Sequence, residues 1–395
     1  MTGFADRAAV LGVGQTQHVR GTLKSERQLI LQAAVAAAAD ARISTGDIDA
    51  VILVMKRERP TNEDFVQSLG IRDLKFHARS EIGGASAVAG VVAAAAVVAS
   101  GIAEHVLVAT GWTAFSGARR LATIADGIAS DGLGLPGADV RRNIDAPVGL
   151  DVPMQHYALH ANRWLHEYGD AREGMRDVSL SARRHANRNP SAYMFDRPLT
   201  AADYDDAPIL VSPFKIFDAC LETDGAAAVI VSRAAFAEAQ GAHDRVVYIG
   251  GGAEGHPDVP HDLSSRPDVL GMGIAKAAPR AMAMAGVTVE DIDFAELYDC
   301  FTFIVLRQLE EIGFCARGES SAFVAGGRIG FDGGLPVNTH GGLLSHGHAV
   351  GMDHVVEAVR QLRGDAGPTQ LADPNVGLVT GYGDFGDGSI AILHN

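Results

Sequence analysis

The chain carries one pattern twice, and that repetition limits what it can fold into more than any single motif does. Residues 8–16, AAVLGVGQT, read as a strand running into a Gly-rich turn at Gly12 and Gly14; residues 246–254, VVYIGGGAE, read the same way around Gly250 and Gly252. Each is followed by an Ala-rich helical stretch and then by an acidic turn leading into an apolar run. In the first copy the turn is Asp47-Ile48-Asp49, and in the second Asp291-Ile292-Asp293. Gly83-Gly84 opens ASAVAGVVAAAAVVAS, and Gly341-Gly342 opens LLSHGHAVGMDHVVEAVRQLRG. HVLVATGW, residues 105–112, and VGLVTGYGD, residues 376–384, close the two copies. Four elements recurring in one order indicate a duplicated strand–helix–strand–helix–strand unit. Short apolar runs separated by helical periodicity indicate α/β layers with buried strands. The expected units are residues 1–240, containing a non-repeated insertion at 113–214, and residues 241–395.

At 395 residues and 47% hydrophobic content the chain can bury a large core. Its net charge of -15 disfavours a phosphate backbone, so no nucleic-acid partner is expected. Residues 82–103 lack charge but consist mainly of Ala, Gly, Ser and Val, which insert poorly into lipid; a buried helix is expected and no membrane span. Cys220, Cys300 and Cys315 form no CxxC pair and no zinc spacing, so no disulfide framework and no metal is expected. The N-terminus lacks a basic segment followed by an apolar one, so a cytoplasmic location is expected.

Long insertions between regular units usually form lids or ligand-binding loops. This one holds Arg119, Arg120, Arg141, Arg142, Arg183 and Arg184, candidates for contacts to a phosphate-bearing ligand, and an amphipathic helix around MQHYALHANRWLHEYG. GVGQTQ fails as a dinucleotide fingerprint because Gln17 stands where the third Gly belongs. Three segments carry most of the chemistry. In residues 338–351, NTHGGLLSHGHAVG, His340, His346 and His348 fall close together, with His354 nearby, and imidazole exchanges protons near neutral pH. Glu296-Leu-Tyr-Asp-Cys-Phe-Thr follows the second acidic turn, where Tyr298 and Asp299 stand at a strand's carboxyl end, the usual ligand position in α/β sheets. Thr380-Gly-Tyr-Gly-Asp-Phe-Gly-Asp-Gly-Ser has enough glycine for the backbone to approach a ligand. A hydrogen-bonded Gly-rich turn is the plainer account of His340, His346 and His354.

Taken together, these segments resemble the thiolase superfamily. GGLLSHGHAVG is similar to its C-terminal histidine motif, LYDCFT to the strand-end HDCF motif of sterol-carrier-protein thiolases, TGYGDFGDGSIAI to the Gly-rich loop carrying the second thiolase cysteine, and SPFKIFDACLETDGAAAVIVS to the segment before the second half. The resemblance implies an α/β, duplicated thiolase fold, five-layered α-β-α-β-α with an inserted loop or cap region, in a homodimer. It implies a coenzyme A thioester as substrate, with no tightly bound cofactor. His348 matches the catalytic histidine, which binds the thioester oxygen or moves protons. The departures are informative. Gly84 occupies the nucleophilic cysteine's place, Tyr382 stands about where the second cysteine belongs, and Tyr298 replaces the strand-end Asn or His.

Without a thiolate there is no acyl-cysteine intermediate. Retro-aldol cleavage needs only enolate stabilisation and a proton acceptor for a β-hydroxyl. Cysteine-less members of the lipid-transfer-protein branch include steroid side-chain aldolases that pair with a small zinc-ribbon/OB-fold partner. That implies cleavage of a bulky, steroid-type β-hydroxyacyl-CoA. His348, Tyr298, His346, Tyr382 and Asp299 are the catalytic candidates; Gly84, Ser86, Asn338, Gly341, Gly342 and Gly383 are the candidates for substrate binding. Acyl transfer using Ser86, or a non-catalytic lipid-CoA binding role, stays open on the residues alone.

Overall fold

The computed structural model describes residues 3–54, 62–121, 141–150, 152–169, 171–239, 245–259, 265–383 and 386–395. Eleven strands are described: β1 (Ala8–Gln15), β2 (Ala50–Val54), β3 (Phe76–Ser80), β4 (His105–Thr113), β5 (Ile209–Val211), β6 (Phe214–Lys215), β7 (Asp224–Arg233), β8 (Val247–Gly255), β9 (Phe294–Glu296), β10 (Val376–Tyr382) and β11 (Gly388–His394). The helices used below are α1 (Glu26–Asp40), α2 (Ser86–Ala99), α3 (Pro153–Tyr168), α4 (Arg172–Ala186), α5 (Ile274–Ala285), α6 (Thr302–Ile312), α7 (Gly342–Ser345) and α8 (Met352–Arg363).

Nine strands form one sheet in the order β3-β2-β4-β7-β1-β8-β11-β10-β9. The duplication is explicit in the pairing. β2 runs parallel to β4, β4 antiparallel to β7, and β7 antiparallel to β1; β9 runs parallel to β10, β10 antiparallel to β11, and β11 antiparallel to β8. The halves meet where β1 pairs with β8 through Ala9–Tyr248 and Val10–Val247. Helices α2 and α8 lie between the halves, burying Val88, Val91, Val355 and Val359 in one cluster with Val108, Val229, Val379 and Leu393. α1 covers the outer face of the first half through Ile30, Ala33, Ala34 and Ala37. α5 and α6 cover the second through Ala277, Ala281, Val305 and Leu309. The result is the five-layered α-β-α-β-α arrangement.

The repeated residues recur for physical reasons. Gly12 and Gly14 lie within β1 rather than in a turn after it, because α1 sits directly on the strand. A Cβ at either position would stand 2.1 Å from the carbonyl oxygen of Ala37 or Ala33. Gly251 plays the same part under α5, 2.2 Å from Ala281 O. In the acidic turns the first Asp caps a single turn: Asp47 accepts from Ser44 N, and Asp291 from Thr288 N. The second Asp accepts the backbone N–H groups that start the neighbouring strand: Asp49 from Glu104 and His105, Asp293 from Asn375 and Val376.

The apolar stretch at 82–103 forms α2, buried between the halves as expected; no helix among the described residues is long and apolar enough to cross a membrane. The second-copy counterpart of α2 begins later than the sequence suggested. α7 makes a single turn after Gly342, and residues 346–351 interrupt it. Val350 (φ 55°) and Gly351 (φ 83°) adopt left-handed backbone there before α8 starts. That interruption gives His346 and His348 an irregular backbone.

Candidate active site

Tyr298 follows the carboxyl end of β9, beside the end of β10 that carries Tyr382. Its backbone is pinned: Tyr298 N donates to Thr380 Oγ1 (3.0 Å), and Gln308 Nε2 donates to Tyr298 O (2.7 Å). Its ring lies between two glycines. A Cβ on Gly84 would stand 2.2 Å from Tyr298 Cζ and 2.3 Å from its hydroxyl oxygen; one on Gly351 would stand 2.9 Å from Cδ2. The space that a side chain at position 84 needs is therefore filled by the Tyr298 phenol. Gly84 is required by this close approach, and the phenol stands where a nucleophile would have projected.

His348 is 3% exposed and sits between two aromatic rings, 4.4 Å from Trp112 and 6.3 Å from Tyr298 by centroid, both edge-on. Its backbone N donates to Thr223 Oγ1 (2.9 Å), and its Nδ1 accepts from Val350 N (3.1 Å). An imidazole accepting at Nδ1 carries its proton on Nε2. Burial pushes its pKa down to about 4, with the charges of Asp353 and Asp299 partly offsetting that. At neutral pH His348 is thus an uncharged N–H donor. With Nδ1 accepting from Val350 N, the ring offers an N–H at Nε2.

The remaining expected residues divide between the reaction centre and its scaffold. Asp299 accepts from Leu343 N (2.8 Å) and Leu344 N (3.3 Å), so it holds α7. Gly342 is needed there, since a Cβ would stand 2.0 Å from Asp299 Oδ2. Asn338 clamps the end of β9, its Oδ1 accepting from Leu297 N (2.7 Å) and its Nδ2 donating to Leu297 O (2.9 Å). Gly341 packs on Ala186 of α4, and Gly383 on the carbonyl of Ile82. Ser86 is fully buried, and its Oγ accepts from Ile82 N (2.8 Å) at the start of α2. His346 meets the rings of His18 (5.1 Å) and His340 (5.0 Å), and burial pushes its pKa well below the ordinary value. The Tyr382 backbone carbonyl abuts Gly84. Its ring lies 5.9 Å from that of Tyr157, and burial raises its pKa.

No thiol substitutes for the missing one. Burial pushes Cys220 and Cys315 up to about 12 and Cys300 well above its ordinary value. Arg183, expected at a phosphate, is buried and donates to Ser345 Oγ and Arg197 O (3.0 Å each). Arg184 lines a surface cavity with Arg188 and Gly327. The side chains of Arg119, Arg120, Arg141 and Arg142 lie outside the described residues. Trp112 and Thr223 were not singled out by sequence. Trp112 had a signal, because it is the repeat mate of Tyr382 in HVLVATGW and VGLVTGYGD. Thr223 had none, its hydroxyl reaching His348 only through the fold.

Residues 258–395 match the family described as thiolase C-terminal domain-like. A steroid side-chain-cleaving aldolase of Thermomonospora curvata is 36% identical over 369 residues, covering 90% of this chain and 90% of its own. A 17-hydroxy-3-oxo-4-pregnene-20-carboxyl-CoA lyase of Mycobacterium tuberculosis is 35% identical over 370 residues, covering 91% of this chain and 92% of its own. Among solved structures, the Ltp2-ChsH2(DUF35) aldolase superposes with a TM-score of 0.89 at 34% identity, over 99% of this chain and 98% of that one. With this likeness along nearly its whole length, and with the nucleophile's place given to a phenol, the chain belongs to the thiolase superfamily, in its sterol-carrier-protein-thiolase-like aldolase branch.

Proposed function

We propose that this chain is a carbon–carbon lyase that cleaves a steroid-type β-hydroxyacyl-CoA by a retro-aldol reaction. The observation that carries this reading is the Tyr298 phenol filling the space beside Gly84, with the His348 N–H donor near its ring. The β-hydroxyl loses its proton and its oxygen becomes a carbonyl. The electrons of the Cα–Cβ bond move onto Cα and the thioester oxygen. His348 Nε2–H donates to that oxygen as negative charge gathers on it. The Tyr298 hydroxyl relays the proton, giving its own to Cα as it accepts the one leaving the β-hydroxyl, which balances the reaction: a ketone or aldehyde and a shortened acyl-CoA leave. For a 17-hydroxy-20-carboxyl-CoA steroid the broken bond is C17–C20, and the products are a 17-ketosteroid and propionyl-CoA.

The active form we propose is a cytoplasmic homodimer acting with a zinc-ribbon/OB-fold (DUF35-type) partner, with the CoA thioester as substrate and no tightly bound organic cofactor. The likeness to the Ltp2-ChsH2(DUF35) aldolase supports that partner. Acyl transfer through Ser86 is disfavoured by the burial of its hydroxyl against the backbone of Ile82. The test is to supply a steroid β-hydroxyacyl-CoA to the purified chain, with and without a co-expressed partner, and to follow products by mass spectrometry. Matched ketone and short acyl-CoA support the proposal; a covalent acyl adduct on the chain, or no carbonyl product with the partner present, sinks it.

A further inference from the structure

Three buried side chains without a place in that reaction meet beside Tyr298. Glu296 ends β9, His340 lies in the turn before α7, and His354 lies in the first turn of α8; each is at most 2% exposed. His340 Nδ1 is 3.0 Å and His354 Nδ1 is 3.7 Å from Glu296 Oε2. Neither approach has hydrogen-bond geometry. Glu296 Oε2, both ring nitrogens of His340 and Nδ1 of His354 find no hydrogen-bond partner among the described residues. A proton shared between nitrogen and oxygen is aimed along the line joining them. Here the donor atoms instead converge, one from each residue, all within 4.8 Å of one another. Ligand atoms around a tetrahedral ion at ~2.1 Å sit about 3.4 Å apart, a spacing that the two measured separations bracket.

The surroundings are those of a metal site. Glu296 Oε1 is fixed by Thr339, whose N and Oγ1 donate to it at 3.1 and 2.8 Å. Asp299 Oδ1 stands 3.1 Å from His354 Nε2, on the far side of the ring from Glu296, the arrangement in which a carboxylate orients a ligating imidazole. A neighbouring triad, His18, His346 and Asp353, lacks this free valence. Asp353 already accepts from Gln15 Nε2 (2.6 Å), Ala349 N (2.6 Å) and His18 Nε2 (2.9 Å).

We propose that Glu296, His340 and His354 bind a divalent first-row ion of the zinc type, a two-histidine, one-carboxylate site built into the floor of the reaction centre. The ion supplies the counter-charge for two buried carboxylates, Glu296 and Asp299. Because Asp299 holds α7, the ion braces the segment that leads to His348. From sequence the histidine motif lacked a carboxylate; the fold brings one from the end of β9.

The test is elemental analysis of the full-length chain, expressed in zinc-supplemented medium and dialysed, followed by thermal unfolding before and after chelation. About one tightly held ion per chain is expected, with a lower Tm on its removal. Glu296→Gln and His340→Gln should each lose the ion, whereas His346→Gln should keep it. Should the first two variants fail to fold, Co2+ loaded into the wild-type chain decides: intense visible d–d bands of a four-coordinate site support the proposal. The proposal is overturned by a wild-type chain that holds no ion and whose Tm ignores Zn2+, by a Co2+ spectrum like that of the free aquo ion, or by folded variants that retain the wild-type metal content. An imidazolium at His354 is then the counter-charge.

Discussion

Gly84 and Tyr298 form a lock-and-key pair, and each predicts the behaviour of the other. Gly84→Ala places a methyl group 2.2 Å from Tyr298 Cζ, with the Tyr382 carbonyl oxygen at 2.4 Å on another side. Overpacking of this kind costs about 1–3 kcal/mol, and the ring that must move is the one proposed to carry the proton. Turnover should therefore collapse together with a measurable loss in thermal stability. A Gly84→Ala chain that matches wild type in both would contradict the packing. Tyr298→Phe removes one oxygen and keeps the ring. Folding should be unchanged by circular dichroism while kcat falls by roughly 10²–10⁴, the range expected for loss of a proton-transfer group. Should Tyr298→Phe retain full turnover, the phenol is not the proton carrier. His348→Ala should also slow turnover, by about 10²–10³, as loss of one oxyanion donor does elsewhere.

Among the elements, the acidic turns carry more weight than their exposure suggests. Asp293 accepts from the backbone of Asn375 (2.7 Å) and Val376 (2.9 Å), tying the start of β10 to the start of β9. Those strands deliver Tyr382 and Tyr298 to the site. Asp293→Ala removes two hydrogen bonds from exposed N–H groups that water can reach, at about 0.5–1.5 kcal/mol. A lower urea midpoint with turnover still detectable is the expected result; an unchanged midpoint would show that water replaces the carboxylate without cost. α7 is the opposite case, a single turn that survives because Asp299 accepts from Leu343 N and Leu344 N.

For the molecule as a whole, burial holds three interior histidines uncharged at neutral pH, whereas the carboxylates of Asp299 and Glu296 push the equally buried His354 up to about 9. Burial lowers His348 and His185 to about 4 and His160 to about 3, each from an ordinary value of 6.5. Above pH 6.5 both folded and unfolded chains keep these rings neutral, so their folded-state contribution is intact. As the pH falls below 6.5, the unfolded chain takes up protons that the folded chain refuses, and stability drops until the folded values are reached. Each ring contributes on the order of 3 kcal/mol to that loss, against a total stability of roughly 5–15 kcal/mol. Denaturant midpoints should therefore fall steeply between pH 6.5 and pH 4.5, and the chain should unfold in mild acid. A midpoint constant over that interval would mean these rings protonate in place.

The sequence by itself determined the duplicated layer architecture, because glycines under helices, paired Asp turns and apolar runs recur wherever the same packing problem recurs. It also placed His348, Tyr298 and Gly84 in one site, because a missing thiolate is visible as a missing letter. Only the tertiary structure decided what each group touches. His348 is a donor because the backbone N–H of Val350 occupies its Nδ1, a consequence of the left-handed bend at Val350 and Gly351. Asn338 and Asp299 hold strand and helix ends because their side-chain atoms meet orphaned backbone groups. Trp112 and Thr223 reach His348 from segments far away in the chain, and Glu296, two residues before Tyr298, meets His340 from the later histidine segment. Spacing along a chain encodes periodicity and local turns; the direction of a proton, or the meeting of a carboxylate with distant imidazoles, exists only once strand ends from both halves have been packed together.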